Sequence, residues 1–223
     1  MTLPALVTGA SRGLGHAVAL ALAPERHVIA VARTVGGLEE LDDAVRARGG
    51  TATLAPLDVT EDGAMQHLCR DVFDRWGGLA LWVHCAIHAP PLTPAVMIDA
   101  KDFDRAMSVN ASATRRLIAY VAPLLGPDGT AVFLDDPMAD AKHAGCYGAS
   151  KRAQIALAQA WALESTSPRV LIHTPAPMPT ALRARFLPGE DRARLSPCAD
   201  EAARLLGALD DSAPPLDADG ARP

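Results

Sequence analysis

The sequence predicts an α/β protein: one doubly wound parallel sheet of about six strands, with helices on both faces. Three observations carry this. Short apolar runs alternate with segments whose apolar residues recur at helical spacing. The runs are apolar almost throughout, as strands buried on both faces must be. And 223 residues suffice for one sizeable core.

The expected strands are Leu3–Thr8, His27–Ala32, Thr51–Pro56, Leu79–Cys85, Thr130–Leu134 and Arg169–Thr174. The first helix, from His16, stops at Pro24, which cannot continue a hydrogen-bonded turn. Leu38–Arg48 and Asp62–Trp76 show helical spacing, and Asp102–Leu125 reads as a longer helix containing Asn110. Tyr147–Glu164 is apolar nearly all round, which predicts burial on two sides, against the sheet and against something else such as a partner subunit. Ser196–Leu209 reads as a capped terminal helix, so residues 1–209 form one domain. Residues 210–223, rich in Pro, Asp and Ala, read as a flexible tail.

A net charge of −5 argues against a general nucleic-acid binder. No apolar stretch is long enough to cross a bilayer, and no signal core opens the chain. Cys69, Cys85, Cys146 and Cys198 are scattered, which suits reduced thiols in a cytoplasmic protein. His84, His88, His143 and His173 fall at strand ends near the expected cleft, but no tight metal motif accompanies them, and no metal site is expected.

Chemistry begins in the turn after the first strand, Thr8-Gly9-Ala10-Ser11-Arg12-Gly13-Leu14-Gly15. Strand, glycine turn and helix together suit a dinucleotide, because glycines admit the pyrophosphate and the helix start offers free N–H groups. Such a turn also ends strands for steric reasons alone. The second strand ends Ala32-Arg33-Thr34, without a carboxylate to hold a free ribose hydroxyl. With Arg12 in the turn, Arg33 favours a 2′-phosphate, hence NADP(H) over NAD(H). Asp58 ends the third strand and reads either as an acceptor for the adenine amino group or as a turn residue capping the next helix. Tyr147 and Lys151 share one helix face, so the ammonium would lower the phenol pKa toward acid/base use.

In this order the glycine turn, Asp58-Val59, Asn110, Tyr147-x-x-x-Lys151 and Pro175-x-x-x-x-Thr180 resemble the short-chain dehydrogenase/reductase family, over nearly the whole chain to Leu209. The resemblance implies a Rossmann-type domain and hydride transfer between a nicotinamide and a carbonyl/alcohol pair. By position, Tyr147 would be the general acid/base, with Lys151 lowering its pKa and holding the nicotinamide ribose. Asn110 would distort its helix and hold a relay water. Gly9, Gly13 and Gly15 would line the pyrophosphate, with Ser11, Arg12 and Leu14 in the same turn. Arg33, Asp58, Val59, Ala86 and Pro175 complete the cofactor-binding set, and Thr180 would bind the carboxamide. The family also implies pairing through the helices carrying Asn110 and Tyr147. No strand pattern follows the terminal helix, so a homodimer is expected over a tetramer.

The chain departs from the pattern twice. His84-Cys85-Ala86-Ile87 replaces Asn-Asn-Ala-Gly, so the Ile87 loop must shift or its side chain must point away. The substrate-binding serine aligns with Asp136, or with Asp135 if the loop is one residue shorter. Such a carboxylate reads three ways. Protonated, it donates as the serine does; ionised, it accepts from an amine, iminium or polyol; or hydride chemistry is lost while cofactor binding remains. Tyr147 with Asp136 also suits a non-redox acid/base lyase or isomerase. Met178, Leu182 and Phe186 are expected to line the substrate side, with His143 near Tyr147. Ala176 stands where the family has glycine after proline.

Overall fold

The computed structural model describes residues 2–211. Six strands, β1 (Ala5–Thr8), β2 (Val28–Val31), β3 (Ala52–Ala55), β4 (Leu79–His84), β5 (Leu125–Leu134) and β6 (Arg169–His173), form one sheet in the order β3-β2-β1-β4-β5-β6. Every pairing is parallel. The order reverses between β1 and β4, so the crevice of the sheet opens at the C-terminal ends of those two strands.

Eight α-helices cover the sheet: α1 (Gly13–Leu22), α2 (Val35–Ala47), α3 (Asp62–Trp76), α4 (Ala100–Ala106), α5 (Ala113–Val121), α6 (Gly145–Glu164), α7 (Ala181–Phe186) and α8 (Cys198–Asp211). Successive strand side chains point to opposite faces, which divides the core in two. Val7, Ala30 and Val83 meet Val18, Leu38, Leu41 and Leu205 on one face. Leu6, Ile29, Trp82 and Phe133 meet Met65, Leu117 and Ala158 on the other.

The strand expectations hold with trimmed ends. β5 instead starts early, because its pairing jumps from Leu79–Leu125 to Leu81–Thr130 across an irregularity. The long helix expected around Asn110 is not uniform: α4 passes through a π-turn, Met107–Ser112, into α5. Within one copy of the chain α6 is buried on one side, and Ala149, Ala156, Ala160 and Leu163 lie exposed on the other. The terminal helix runs on to Asp211. The expected tail otherwise falls on residues outside those described. No described helix is long and apolar enough to cross a membrane.

Candidate active site

At the crevice, the glycine turn leaves β1 with Gly9 at φ +76°. A Cβ there would sit 2.7 Å from the Cys85 carbonyl carbon and 2.8 Å from the Ala86 nitrogen. Only glycine permits the chain leaving β1 to lie this close to the chain leaving β4. Ser11 is pressed from behind, since a Cβ at Gly37 on α2 would lie 2.8 Å from its carbonyl oxygen. Gly13, at φ +59°, faces the methyl of Thr180, 3.5 Å from where its own Cβ would be. Leu14 and Gly15 are buried in the first turn of α1, and the exposed Arg12 precedes them with no side chain capping the helix. The α1 N-terminus thus keeps N–H groups without a side-chain cap, in a glycine turn whose backbone packs too closely for side chains at Gly9 and Gly15. These residues fit a dinucleotide diphosphate.

Along the cleft, Asp58 anchors the end of β3. Its Oδ1 accepts from the Thr60 N–H at 2.9 Å and the Thr60 hydroxyl at 2.8 Å. Its Oδ2 accepts from Arg105 on α4 at 2.8 Å, with Arg33 3.6 Å away. Burial acts against its charge, but the Thr60 and Arg105 bonds win and hold its pKa low. Val59 is buried next to it. Arg33, although paired with Asp58, stays more than half exposed. Arg105 joins it from α4, a placement that residue spacing does not indicate. Burial, then Arg105, Arg33 and Arg185, push the neighbouring His88 imidazole toward neutrality.

At the other end, Tyr147 is buried in the first turns of α6. Its hydroxyl donates to Oδ2 of Asp136 at 2.7 Å, while Oδ1 accepts from the Met138 N–H at 2.9 Å. So Asp136, not Asp135, faces the phenol. Asp135 turns to Arg152, which reaches its two oxygens at 2.8 and 3.1 Å and Asp140 at 2.6 Å. Burial first, then the Asp136 carboxylate, raises the Tyr147 pKa well above the ordinary phenol range. This is opposite to the lowering expected from Lys151. The Lys151 ammonium donates to Gln154 at 2.7 Å, and burial lowers its own pKa to about 8.

Asn110 is fully buried in the π-turn. Its amide clamps the loop after β4, accepting from the His88 N–H at 2.7 Å and donating to the His88 carbonyl at 2.8 Å. It also donates to Ser150 on α6 at 2.8 Å. Asn110 thus joins loop and helix from within the helix distortion expected around it. The clamped loop sends Ile87 into a small apolar cluster with Tyr147, Phe186, Met138, Leu182 and Leu92. Ile87 thereby avoids the glycine turn, and Ala86 keeps its close approach to Gly9.

Phe186 covers Tyr147, ring centroids 5.1 Å apart, so α7 closes the reaction end. Thr180 caps α7 through its hydroxyl oxygen, which accepts from the Arg183 N–H at 3.2 Å. Pro175 leads the preceding loop, fixed at the next residue by an Ala176 N–H bond of 2.9 Å to the buried Glu201. Three expected neighbours lie elsewhere. Met178 packs on the α1–α8 side of the sheet. His143 is exposed at φ +68°. His84 is wholly inside the protein, between Thr8 and Thr114. Gln154 and Thr114 carry no motif in the sequence, although Lys151 to Gln154 and Asn110 to Thr114 are spaced to share helix faces.

A family model for short chain dehydrogenases matches residues 4–190. The chain is 31% identical over 160 residues to a sorbitol dehydrogenase of Cereibacter sphaeroides, covering 70% of this chain and 61% of that protein. It is 28% identical over 216 residues to a fatty acyl-CoA reductase of Acinetobacter baylyi, covering 91% and 70%. Among solved structures, a short chain dehydrogenase from Pseudomonas syringae superposes with a TM-score of 0.86 at 28% identity, covering 93% of this chain and 88% of that one. A short chain dehydrogenase of Shigella flexneri, in complex with NADP, gives 0.84 at 26% identity, covering 94% and 92%.

Proposed function

The chain belongs to the short-chain dehydrogenase/reductase family, and from that premise we propose that it is an NADP(H)-dependent oxidoreductase acting on a carbonyl/alcohol or imine/amine pair. The observation that carries this is the Tyr147–Asp136 hydrogen bond of 2.7 Å, in a chain that also carries the glycine turn. A bound nicotinamide supplies or takes the hydride. Gly9, Ser11, Arg12, Gly13, Leu14 and Gly15 would hold its diphosphate, Asp58, Val59 and Ala86 its adenosine side, and Pro175, Thr180 and Lys151 its nicotinamide side. Arg33 would take the 2′-phosphate, as its exposure and the lack of a carboxylate at that strand end suggest. The relative solved with NADP supports the same choice.

Tyr147 exchanges a proton with the substrate heteroatom. When an alcohol or amine is oxidised, the phenol passes its own proton to Asp136 as it takes the substrate's. In reduction both protons move back. Asp136 therefore does more than orient the substrate, as a serine would: it stores the proton. While ionised, its negative charge also favours an amine or a polyol to be oxidised, or an iminium, whose reduction takes the hydride alone and leaves Asp136 without a proton to give. Residues 1–209 act as one dinucleotide-binding and catalytic domain. The exposed Ala149, Ala156, Ala160 and Leu163 on α6 suit pairing with a second copy, as a homodimer or within a tetramer. Four free thiols suit a reducing, cytoplasmic setting.

A second reading is favoured by the burial of Tyr147 beneath Phe186: cofactor binding without redox turnover, as a sensor or partner subunit. The Tyr147–Asp136 pair would also serve a lyase or isomerase. One experiment separates these. The protein is titrated with NADPH and NADH by nicotinamide fluorescence, then assayed on carbonyls and imines beside Tyr147→Phe. The variant should bind NADPH and lose turnover. Tight binding with no wild-type turnover supports the sensor, and product without any change in nicotinamide absorbance supports the lyase.

A further inference from the structure

The proposed chemistry leaves one set of buried polar groups unused, and they form a connected chain that ends on Lys151. The ammonium donates to Oε1 of Gln154 at 2.7 Å. Gln154 Nε2 donates to the Thr114 hydroxyl oxygen at 3.1 Å, and that hydroxyl donates to the Asn110 carbonyl at 2.7 Å. His84 Nε2 lies 2.9 Å from the same oxygen, and His84 Nδ1 lies 2.7 Å from the Thr8 hydroxyl. All five side chains are buried: Thr8 and Thr114 at 0% exposure, Gln154 at 1%, His84 at 2% and Lys151 at 4%.

Counting hydrogens settles who donates. Thr114 has one hydroxyl hydrogen, and it goes to the Asn110 carbonyl. Its lone pairs then face two donors, the Gln154 amide and a His84 Nε2–H. His84 is therefore the Nε2–H tautomer, and its Nδ1 accepts from Thr8. Gln154 is oriented by the same logic. Its nitrogen must face Thr114, so its oxygen must face the ammonium. A reversed amide would put two donors against each other in a site shut off from water.

We propose that Gln154, locked by Thr114 and His84, is a positioning residue that fixes the Lys151 ammonium and favours its charged form. The proposal deepens the catalytic reading of Lys151 and rests on it for its purpose. Burial works against the charge. Asp136 and Asp135 beyond β5, and Cys85 after β4, raise the Lys151 pKa, while Arg152 beside it on α6 lowers it. His84 faces the same ammonium from β4. Gln154 adds a neutral acceptor at hydrogen-bond distance, whose oxygen has no role unless the lysine is there.

The test follows the Lys151 side chain directly. The chain has three lysines, Lys101, Lys142 and Lys151. With lysine labelled in 13C and 15N, each should give a separate NMR signal, and Lys151→Arg assigns the buried one. Gln154→Met should lower the Lys151 titration midpoint by about one pH unit, the share of a charge-assisted hydrogen bond. Gln154→Glu should raise it, and Thr114→Val, which unlocks the amide, should lower it by less than Gln154→Met. Lys101 and Lys142 should not move. If Gln154→Met fails to unfold cooperatively, Gln154→Glu and Thr114→Val decide alone. An unchanged Lys151 midpoint, or shifts in one direction for all variants, overturns the proposal. No substrate is needed, so loss of turnover in Tyr147→Phe remains a separate test of the catalytic reading.

Discussion

Acid should unfold this protein partly through one histidine. His84 is shut inside the sheet, and burial first, then the Lys151 charge, lowers its pKa from 6.5 to about 3. In the native state it stays neutral, its two ring nitrogens engaged by Thr8 and Thr114. Unfolded, it takes a proton below about pH 6.5. Because the folded pKa is the depressed one, its contribution is fully present above pH 6.5 and is lost as pH falls toward 3. At about 1.4 kcal/mol per unit, one extra proton taken up on unfolding removes up to about 4–5 kcal/mol over that window. Carboxylates titrate there too, so the useful quantity is a difference of slopes. Urea unfolding of the wild type and His84→Gln would be measured from pH 7 to 3.5. His84→Gln shifts the whole curve by its own packing cost, but the cost does not depend on pH. The wild-type slope should exceed the variant's by roughly 1 kcal/mol per pH unit near pH 5. Parallel curves would refute the buried neutral imidazole and, with it, the tautomer that orients Gln154.

Three further perturbations bear on the site. Asp136→Asn removes the charge held 2.7 Å from the phenol, so the Tyr147 pKa should fall. At an effective dielectric near 20 and that distance, the lost repulsion is worth about 6 kcal/mol, or roughly 4–5 units. Phenolate absorbance reads this once the spectrum of Tyr147→Phe, which retains only Tyr120, is subtracted, and no downward shift would argue against the carboxylate's control of Tyr147. Arg33→Ala should weaken NADPH roughly tenfold or more and leave NADH nearly unchanged, the value of one charge-assisted phosphate contact; equal losses in a fluorescence titration would reject the 2′-phosphate role. Gly9→Ala forces φ +76° on a side chain and drives a Cβ against the Cys85 carbonyl. It should cost at least about 2 kcal/mol in urea unfolding and abolish nicotinamide binding; a wild-type midpoint would show that the segments after β1 and β4 do not lie so close.

Local chemistry made much of this protein legible in its residues. The alternation of apolar runs and helical spacing specifies a parallel sheet, because a strand buried on both faces cannot alternate polar with apolar side chains. Glycines at 9, 13 and 15 announce a close backbone approach. The Tyr147–Lys151 pair is visible too, since it is carried by a short motif, whereas Asn110 is singled out only by the family resemblance. What each one touches is not visible. Whether Asp135 or Asp136 meets Tyr147 depends on how the chain turns after β5, and Arg152 on α6 decides it by drawing Asp135 away. Lys151 lies on the same helix face as Tyr147, yet it bonds to Gln154, because a neighbouring helix supplies Thr114 to hold that amide. Asn110 grips a loop 22 residues earlier in the chain. Ile87 avoids the glycine turn only because an apolar cluster from α6 and α7 receives it. Spacing along a helix or strand is set by backbone geometry and can be read from the residues alone. The direction of a hydrogen bond, and hence the charge a buried group can carry, depends on partners far away in the chain, which only the folded structure brings together.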